Sequence, residues 1–391
     1  MTSPVHIVAA RRTPIGRFIG AFADLSSTAL GAVAVRQVLA DGGVDPAAVD
    51  EVIIGQVLTA GAGMNPARQA AIGGGLPIQV PAFTVNKVCG SGLKAIHLGA
   101  QAIGAGAAEL IVAGGQESMT QAPHLLAGRR ATKLGDIAAT DSIMVDGLVD
   151  AFNHVAMGIT AEGLAAKFGI SRDMQDSFAL ASHNKAVAAA AAGRFASEIA
   201  PVGITERRET RLVVADEQPR ADSTLDALAK LKPAFDPEGS VTAGNAASLN
   251  DGAAAVLLAS EAKAAQLGLP SLGRIVACAS AALEPMEMGL GAATAAQRAL
   301  DQAGWRSADL DLIELNEAFA AQALAVVKVM DWDLERINVN GGAIALGHPI
   351  GASGCRVVVT LLNEMQRRNA RRGLATLCIG GGQGVAICIE R

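Results

Sequence analysis

The sequence predicts an α/β protein made of two similar halves, with a long segment inserted before the last strand of the first half. Three observations predict this. Matching segments recur in the same order in both halves. Apolar, β-branched runs alternate with helical patterns, so we expect about five strands per half in a mostly parallel, buried sheet. Finally, residues 117–250 have no counterpart in the second half, and we therefore expect three parts: 1–116 with 251–268, the insertion 117–250, and 269–391.

The internal repeat is carried by short matching segments. Leu39 and Gly43 match Leu300 and Gly304, each pair preceding a strand pattern at the same distance. Further along, residues 85–86 match 339–340, 91–92 match 353–354, and the glycine pair 114–115 matches 380–381. Because equivalent strand ends of a duplicated fold lie near its pseudo-twofold axis, we expect residues at matching turns to meet.

Cys89 is the first candidate for chemistry. It follows a β-branched strand pattern and precedes a helical pattern that includes Leu93 and Ile96, so we expect it at a strand–helix junction. The N–H groups and positive dipole end of that helix are expected to stabilise a thiolate and lower the pKa of the thiol. The alternative is a small apolar core residue, which is common for free cysteine.

Three further candidates lie at matching places in the second half. His348 stands in the glycine-rich loop 341–351, where the alternative is a surface residue. Cys378 ends a strand pattern before Gly380, so nearby N–H groups could form an oxyanion hole, and its alternative is a core thiol. Asn316 alone would be interpreted as a helix cap, but beside the others we favour catalysis. We expect one site that contains Cys89, His348, Asn316 and Cys378.

Composition excludes several other classes of protein. The net charge is −5 and no basic run is long enough for a nucleic-acid surface. No apolar run reaches the ~18 residues of a membrane span, and because the chain opens in a strand pattern we expect no signal peptide. The five cysteines are odd in number and lack zinc-finger spacing, which favours a reducing, cytoplasmic compartment and no metal site.

Four segments together resemble the active-site motifs of thiolases. They are 88–92 (VCGSG), 316–320 (NEAFA), 347–354 (GHPIGASG) and 378–384 (CIGGGQG). The resemblance runs from end to end and includes 114–119 (GGQESM) and 241–245 (VTAGN). The length and the short insertion are most similar to the acetyl-CoA C-acetyltransferase branch of the family.

The resemblance implies a fold and a reaction. The fold is a five-layered αβαβα arrangement with the insertion binding CoA. The reaction is the reversible condensation of two acetyl-CoA to acetoacetyl-CoA and CoA, or of a longer acyl-CoA with acetyl-CoA, in a ping-pong sequence through a thioester on Cys89. No metal or redox cofactor is implied. Family members are dimers or tetramers, which makes residues 125–136 a candidate for tetramer contacts.

The resemblance also assigns roles to residues. His348 accepts the Cys89 proton, Cys378 acts as acid and base at the acetyl α-carbon, and the N–H groups of Cys89 and Gly380 form one oxyanion hole. Asn316, through a water, and His348 form the other. The residues implied for the CoA channel are Leu148, Met157, Arg220, Leu228, Ala234, Phe235, Ala243, Ser248, Leu249, Ala318 and Phe319.

Departures from the family pattern leave the acyl preference open. Ala156 stands where histidine is usual, Ala247 where serine is usual, and Ala227 lacks a frequent hydroxyl. A small residue at 156 could leave room for a longer or branched acyl group, as in a degradative 3-ketoacyl-CoA thiolase of fatty-acid β-oxidation. A carrier-protein-dependent 3-oxoacyl synthase is disfavoured by Cys378, and a non-catalytic CoA-binding relative by Cys89 with His348.

Overall fold

The computed structural model describes residues 3–128, 136–206 and 209–391. In these ranges the strands are β1 (Val5–Arg12), β2 (Gly16–Arg17), β3 (Glu51–Gly55), β4 (Ala82–Val85), β5 (Leu110–Ser118), β6 (His124–Leu126), β7 (Ala139–Asp141), β8 (Val202–Glu206), β9 (Glu209–Val213), β10 (Asn250–Ser260), β11 (Gly273–Ala282), β12 (Leu312–Leu315), β13 (Arg372–Ile379) and β14 (Gln383–Glu390). The helices are α1 (Ser27–Gly42), α2 (Pro66–Gly73), α3 (Ser91–Gly104), α4 (Met157–Phe168), α5 (Arg172–Ala191), α6 (Leu225–Ala229), α7 (Glu261–Leu267), α8 (Gly291–Ala303), α9 (Ala320–Met330), α10 (Ala343–Leu346) and α11 (Ile350–Arg368).

One continuous sheet passes through both halves of the chain. Its order is β12-β13-β14-β11-β1-β10-β5-β3-β4, and β2 pairs with β10 at the side. The halves join where β1 pairs antiparallel with β11 through only three residues, Val5 to Ile7. The first half thus contributes β1, β10, β5, β3 and β4, and the second contributes β11, β14, β13 and β12.

The predicted mostly parallel sheet is wrong, because each half is mixed. β3 pairs parallel with β4 and β5, and β12 pairs parallel with β13. However, β10 runs antiparallel to β1 and β5, and β14 antiparallel to β11 and β13. The turn 380–382 between β13 and β14 is too short for the crossover that a parallel pair needs. The second half also has four main-sheet strands rather than five, since its counterpart of β4 is a single bridge between Ile313 and Ile337.

The helices and strands form five layers, as the resemblance implies. α1 and α2 cover the outer face of the first half, and α8 and α9 cover the outer face of the second. α3 and α11 pack together between the two. Side chains alternate along β5, so that Val112 faces the α1 side while Ile111 faces the central helices. Three apolar clusters fill the spaces between the layers.

The central helices meet at glycines that the repeat makes equivalent. A Cβ atom on Gly92 would lie 2.8 Å from the Cys355 nitrogen, and one on Gly354 would lie 2.4 Å from the Leu93 nitrogen. Only glycine permits backbone contact this close. The first turns of α3 and α11 are therefore held together, and the turns that precede them carry Cys89 and His348.

The inserted segment contains α4 to α6 and the hairpins β6–β7 and β8–β9. A buried cluster fastens it to β1, because the Arg12 guanidinium contacts Glu198 at 2.6 Å and Asp216 at 2.7 Å. The bounds 117–250 of an inserted domain stay a prediction. Of the predicted tetramer segment 125–136, residues 129–135 lie outside the described residues. In the part of the chain described, no helix has both the length and the apolar character needed to cross a membrane.

Candidate active site

The turn that carries Cys89 is strained and tightly braced. β4 ends at Val85, so the thiol lies four residues beyond the strand rather than at its end. Val88 has a φ of 45°, which is rare for a β-branched residue and persists only where the surroundings enforce it. Ser91 supplies part of that enforcement, since its hydroxyl donates to the Val88 carbonyl at 2.6 Å and accepts from the Lys87 N–H at 2.8 Å.

His348 is held in one tautomer by its neighbours. Gly347, with a φ of 105°, turns the chain, and the His348 N–H donates to Asn250 Oδ1 at 2.9 Å. The imidazole Nδ1 lies 2.6 Å from Ser353 Oγ, which itself donates to the Pro349 carbonyl at 2.9 Å. Because the hydroxyl has a single proton, it accepts from Nδ1–H. The Nε2 atom therefore carries the lone pair and is free to act as a base.

Asn316 faces the basic nitrogen of His348. Its Nδ2 lies 3.4 Å from His348 Nε2, and its Oδ1 accepts no hydrogen bond among the described residues. The helix-cap alternative is wrong, because α9 begins four residues later with Phe319 as its N-cap. The backbone of Asn316 is fixed by its N–H, which donates to the Thr376 carbonyl on β13.

Cys378 lies one residue before the end of β13. The turn that follows needs glycine, since Gly381 and Gly382 have φ values of 82° and 78°. Gly380, the first residue of that turn, directs its N–H to the sulfur of Cys89, as does the N–H of Cys89 itself. The two thiols and the two N–H groups thus converge, as the repeat predicts.

These groups line one cavity of about 400 Å³. Cys89, His348, Cys378 and Gly380 are in its wall, and Asn316 reaches it through His348. Most of the residues expected for CoA also line it, and its walls are largely apolar. They are Leu148, Met157, Arg220, Ala234, Phe235, Ala243, Ser248, Leu249, Ala318 and Phe319.

Leu228 is the exception among the expected CoA residues. It lies outside the cavity wall and packs instead in a separate buried cluster with Ala179, Ala320 and Ile344. Of the departures noted in the sequence, Ala156 and Ala247 line the cavity, whereas Ala227 does not. The Ser248 side chain turns to Asn250 Oδ1 at 2.8 Å, so this hydroxyl braces the loop of His348.

The sequence did not identify several residues that line or brace the cavity. Met119, Met144 and Met288 line the cavity, and their flexible side chains suit an adaptable acyl or thioester pocket. Ser353 was noted only as part of the repeat. Its partner Ser91 makes the same kind of bond to a carbonyl in the preceding turn, so the matched serines signalled a shared bracing role.

Burial dominates the electrostatics of the site. It raises the pKa of Cys89 to about 11, against the lowering effect of the Gly380 and Cys89 N–H groups, while Glu117 raises it further. The predicted lowering of this pKa is therefore wrong: Cys89 remains partly accessible from the cavity, but protein rather than water surrounds its sulfur. Burial also raises the pKa of Cys378, and Cys89 adds to that rise. Burial, then Arg356, lowers the pKa of His348 to about 3, so its imidazole is neutral.

The buried side chain of Glu117 links the two halves of the chain beside the site. Glu117 accepts N–H groups from Val57 at 3.0 Å and from Gly351, at the start of α11, at 2.9 Å. Burial raises the pKa of Glu117 to about 7, and these hydrogen bonds oppose the rise. Because the side chain bridges the segment after β3 and the start of α11, it holds the first turn of the helix that follows His348 against the first half of the chain.

Comparisons with known proteins agree with this geometry. The thiolase N-terminal domain matches residues 5–262, and the thiolase C-terminal domain matches residues 269–391. The chain is 62% identical over 389 residues to an acetyl-CoA acetyltransferase of Pseudomonas aeruginosa, covering 99% of each chain. It is 59% identical to a probable acetyl-CoA acetyltransferase of Escherichia coli, again over 99% of both. The crystal structure of the Bacillus anthracis acetyl-CoA acetyltransferase superposes with a TM-score of 0.98 at 44% identity, covering 100% of this chain and 99% of that one.

Proposed function

The chain belongs to the thiolase family, and on that premise we propose that it condenses two acetyl-CoA to acetoacetyl-CoA and CoA, and catalyses the reverse thiolysis. The observation that carries the proposal is a single cavity whose wall contains two thiols and the unprotonated Nε2 of His348. The names of its similar relatives, acetyl-CoA acetyltransferases at 62% and 59% identity, support acetyl-CoA as substrate.

The first half-reaction is acyl transfer to Cys89. Because the pKa of the thiol is raised, the sulfur needs a base, and the neutral His348 supplies one at Nε2. The proton passes to His348 as the sulfur attacks the acetyl-CoA carbonyl, and it leaves on the CoA thiolate when the C–S bond breaks. The N–H groups of Cys89 and Gly380 stabilise the oxyanion that forms.

The second half-reaction forms the new carbon–carbon bond. Cys378 passes its own proton to His348 Nε2, and the resulting thiolate removes a proton from the methyl group of a second acetyl-CoA. The raised pKa of this thiol makes its thiolate a stronger base. The Nε2–H group that His348 now carries and Asn316, the latter through a water, stabilise the enolate oxygen. The enolate then attacks the Cys89 thioester, the bond to sulfur breaks as acetoacetyl-CoA is released, and the proton on His348 Nε2 returns to the Cys89 sulfur. Every proton moves between side chains and substrate, so the route uses no metal or redox cofactor.

Assembly and location form part of the proposal. We expect a homodimer or homotetramer, and the edge strand β4, which has β3 as its only partner strand among the described residues, is a surface on which two copies could pair. Free cysteines at five positions support a reducing, cytoplasmic compartment. The alternative is a role in fatty-acid metabolism with medium or branched 3-ketoacyl-CoA as substrate, and it rests on the small side chain of Ala156 in the cavity wall.

A substrate panel tests the proposal. Purified protein is given acetoacetyl-CoA and 3-ketoacyl-CoAs of increasing length or 2-methyl branching, and thiolysis is followed together with consumption of free CoA. We expect acetoacetyl-CoA to be cleaved with one CoA consumed per molecule. Folded protein that cleaves none of these thioesters would overturn the proposal, while better turnover of long or branched substrates would replace acetyl-CoA specificity by the degradative alternative.

A further inference from the structure

An exposed cation lies at the rim of the cavity on a segment without regular secondary structure. Arg220 is in the cavity wall, and residues 214–224 form neither helix nor strand. Asp216 and Glu217 anchor the start of this segment, through bonds to the N–H groups of Ile15 and Arg17. In the described part of the chain, the Arg220 guanidinium has no ion pair or hydrogen bond with another side chain. The place from which this side chain extends therefore depends on how its backbone is held.

One buried side chain holds that backbone. His183, on α5 and 3% exposed, accepts the Arg220 N–H at Nδ1 over 3.2 Å. An Nδ1 that accepts leaves the imidazole proton on Nε2. Burial and the Arg220 charge lower the pKa of His183 to about 4, with Asp222 opposing, so the ring keeps its acceptor at neutral pH.

The geometry points to His183 as a positioning residue for CoA. A cavity of about 400 Å³ that ends at Cys89 encloses the thioester end of an acyl-CoA, and the phosphate-bearing nucleotide end has to leave across the rim. A guanidinium placed at the rim attracts those phosphates. His183 holds the backbone from which this side chain extends, through the Arg220 N–H, and touches neither substrate nor the reacting atoms. This inference rests on the proposed thiolase function and adds to it a determinant of CoA affinity.

The first test separates binding from chemistry. His183→Ala removes the acceptor and should raise the KM for CoA in thiolysis by about threefold to tenfold, the range of one lost hydrogen bond, with kcat within about twofold. His183→Gln retains a carbonyl acceptor and should restore most of the affinity. His97→Gln serves as the matched control, because His97 is also buried on a helix but lies outside the cavity wall. Thermal unfolding shows whether each variant is folded.

Two further measurements distinguish positioning from general packing. In a protein that already carries Arg220→Ala, the added substitution His183→Ala should change the KM for CoA little, because His183 acts on CoA through Arg220. With acetoacetyl-N-acetylcysteamine and N-acetylcysteamine, which lack the nucleotide, His183→Ala should match the wild type. Additive effects, an equal defect with the truncated substrates, or an unchanged KM for CoA would each overturn the inference. An inactive wild-type enzyme would instead refute the proposed function.

Discussion

The substitution Ser353→Ala tests how the structure makes His348 a base. Ser353 is fully buried, and its hydroxyl lies 2.6 Å from His348 Nδ1. Without it, the Nδ1–H group is left buried and unpaired, which costs about 1–3 kcal/mol, or the ring changes to the tautomer that has its proton on Nε2. The first outcome makes the working tautomer less stable by this amount, and the second places a proton on the nitrogen that has to act as the base. At 1.36 kcal/mol per factor of ten, we expect acylation of Cys89 to slow by about 5- to 150-fold.

Single-turnover kinetics measures this directly. Enzyme in excess is mixed rapidly with acetoacetyl-CoA, and the rate of acyl-enzyme formation is compared with the wild type. Thr360→Val is the matched control, because Thr360 lies on the same helix two turns later, is equally buried and bonds Glu198 rather than His348. It should change stability but leave the acylation rate within about twofold. A folded Ser353→Ala enzyme that acylates at the wild-type rate would refute the assignment of the tautomer.

Three further predictions follow from particular residues. Cys378→Ala should still form the acyl-enzyme but lose condensation, which is checked by a CoA burst without acetoacetyl-CoA production. Burial lowers the pKa of His97 to about 3 from 6.5. Between these two pH values His97 binds a proton in the unfolded chain but not in the folded chain, so the free energy of unfolding decreases as the pH falls from 6.5 towards 3. In urea titrations, acidification from about pH 7 to pH 5 should therefore destabilise wild type more than His97→Gln. Gly163 lies on α4 with open space around it, so Gly163→Ala should stabilise the folded protein by about 0.5–1 kcal/mol. In contrast, Gly115→Ala should destabilise it by about 3 kcal/mol, because the added Cβ would lie 2.1 Å from the Gly351 carbonyl oxygen. Urea titrations measure both changes.

The convergence of the site could be predicted because the repeat contains long-range information. Matching turns imply a pseudo-twofold axis. The structure agrees, because Gly92 packs against α11 and its counterpart Gly354 packs against α3. The repeat therefore predicts that Cys89 and His348 lie close together, although no sequence motif specifies the distance between them. The roles of these residues stay a prediction until the variants are measured.

Other features could not be predicted from local patterns. The direction of β10 and β14 depends on the length of their connections, and strand periodicity contains no information about direction. The pKa of Cys89 depends on what surrounds the sulfur, and burial outweighs the helix terminus that the local sequence reveals. Leu228 was assigned by register along the insertion, but the short helix α6 turns its side chain into a separate cluster. Similarly, the tautomer of His348 depends on a serine five residues away, whose hydroxyl geometry no sequence motif specifies.

The central claim is that Cys89 carries the acyl group. Its most direct test is peptide mapping by mass spectrometry after acid quenching of the enzyme with acetyl-CoA, carried out on wild type, Cys89→Ala and Cys378→Ala. We expect a single acetyl group on the peptide that contains Cys89 in wild type, a higher yield of the same adduct in Cys378→Ala, and no adduct in Cys89→Ala. An acetyl group on another residue, or turnover by folded Cys89→Ala, would contradict the claim.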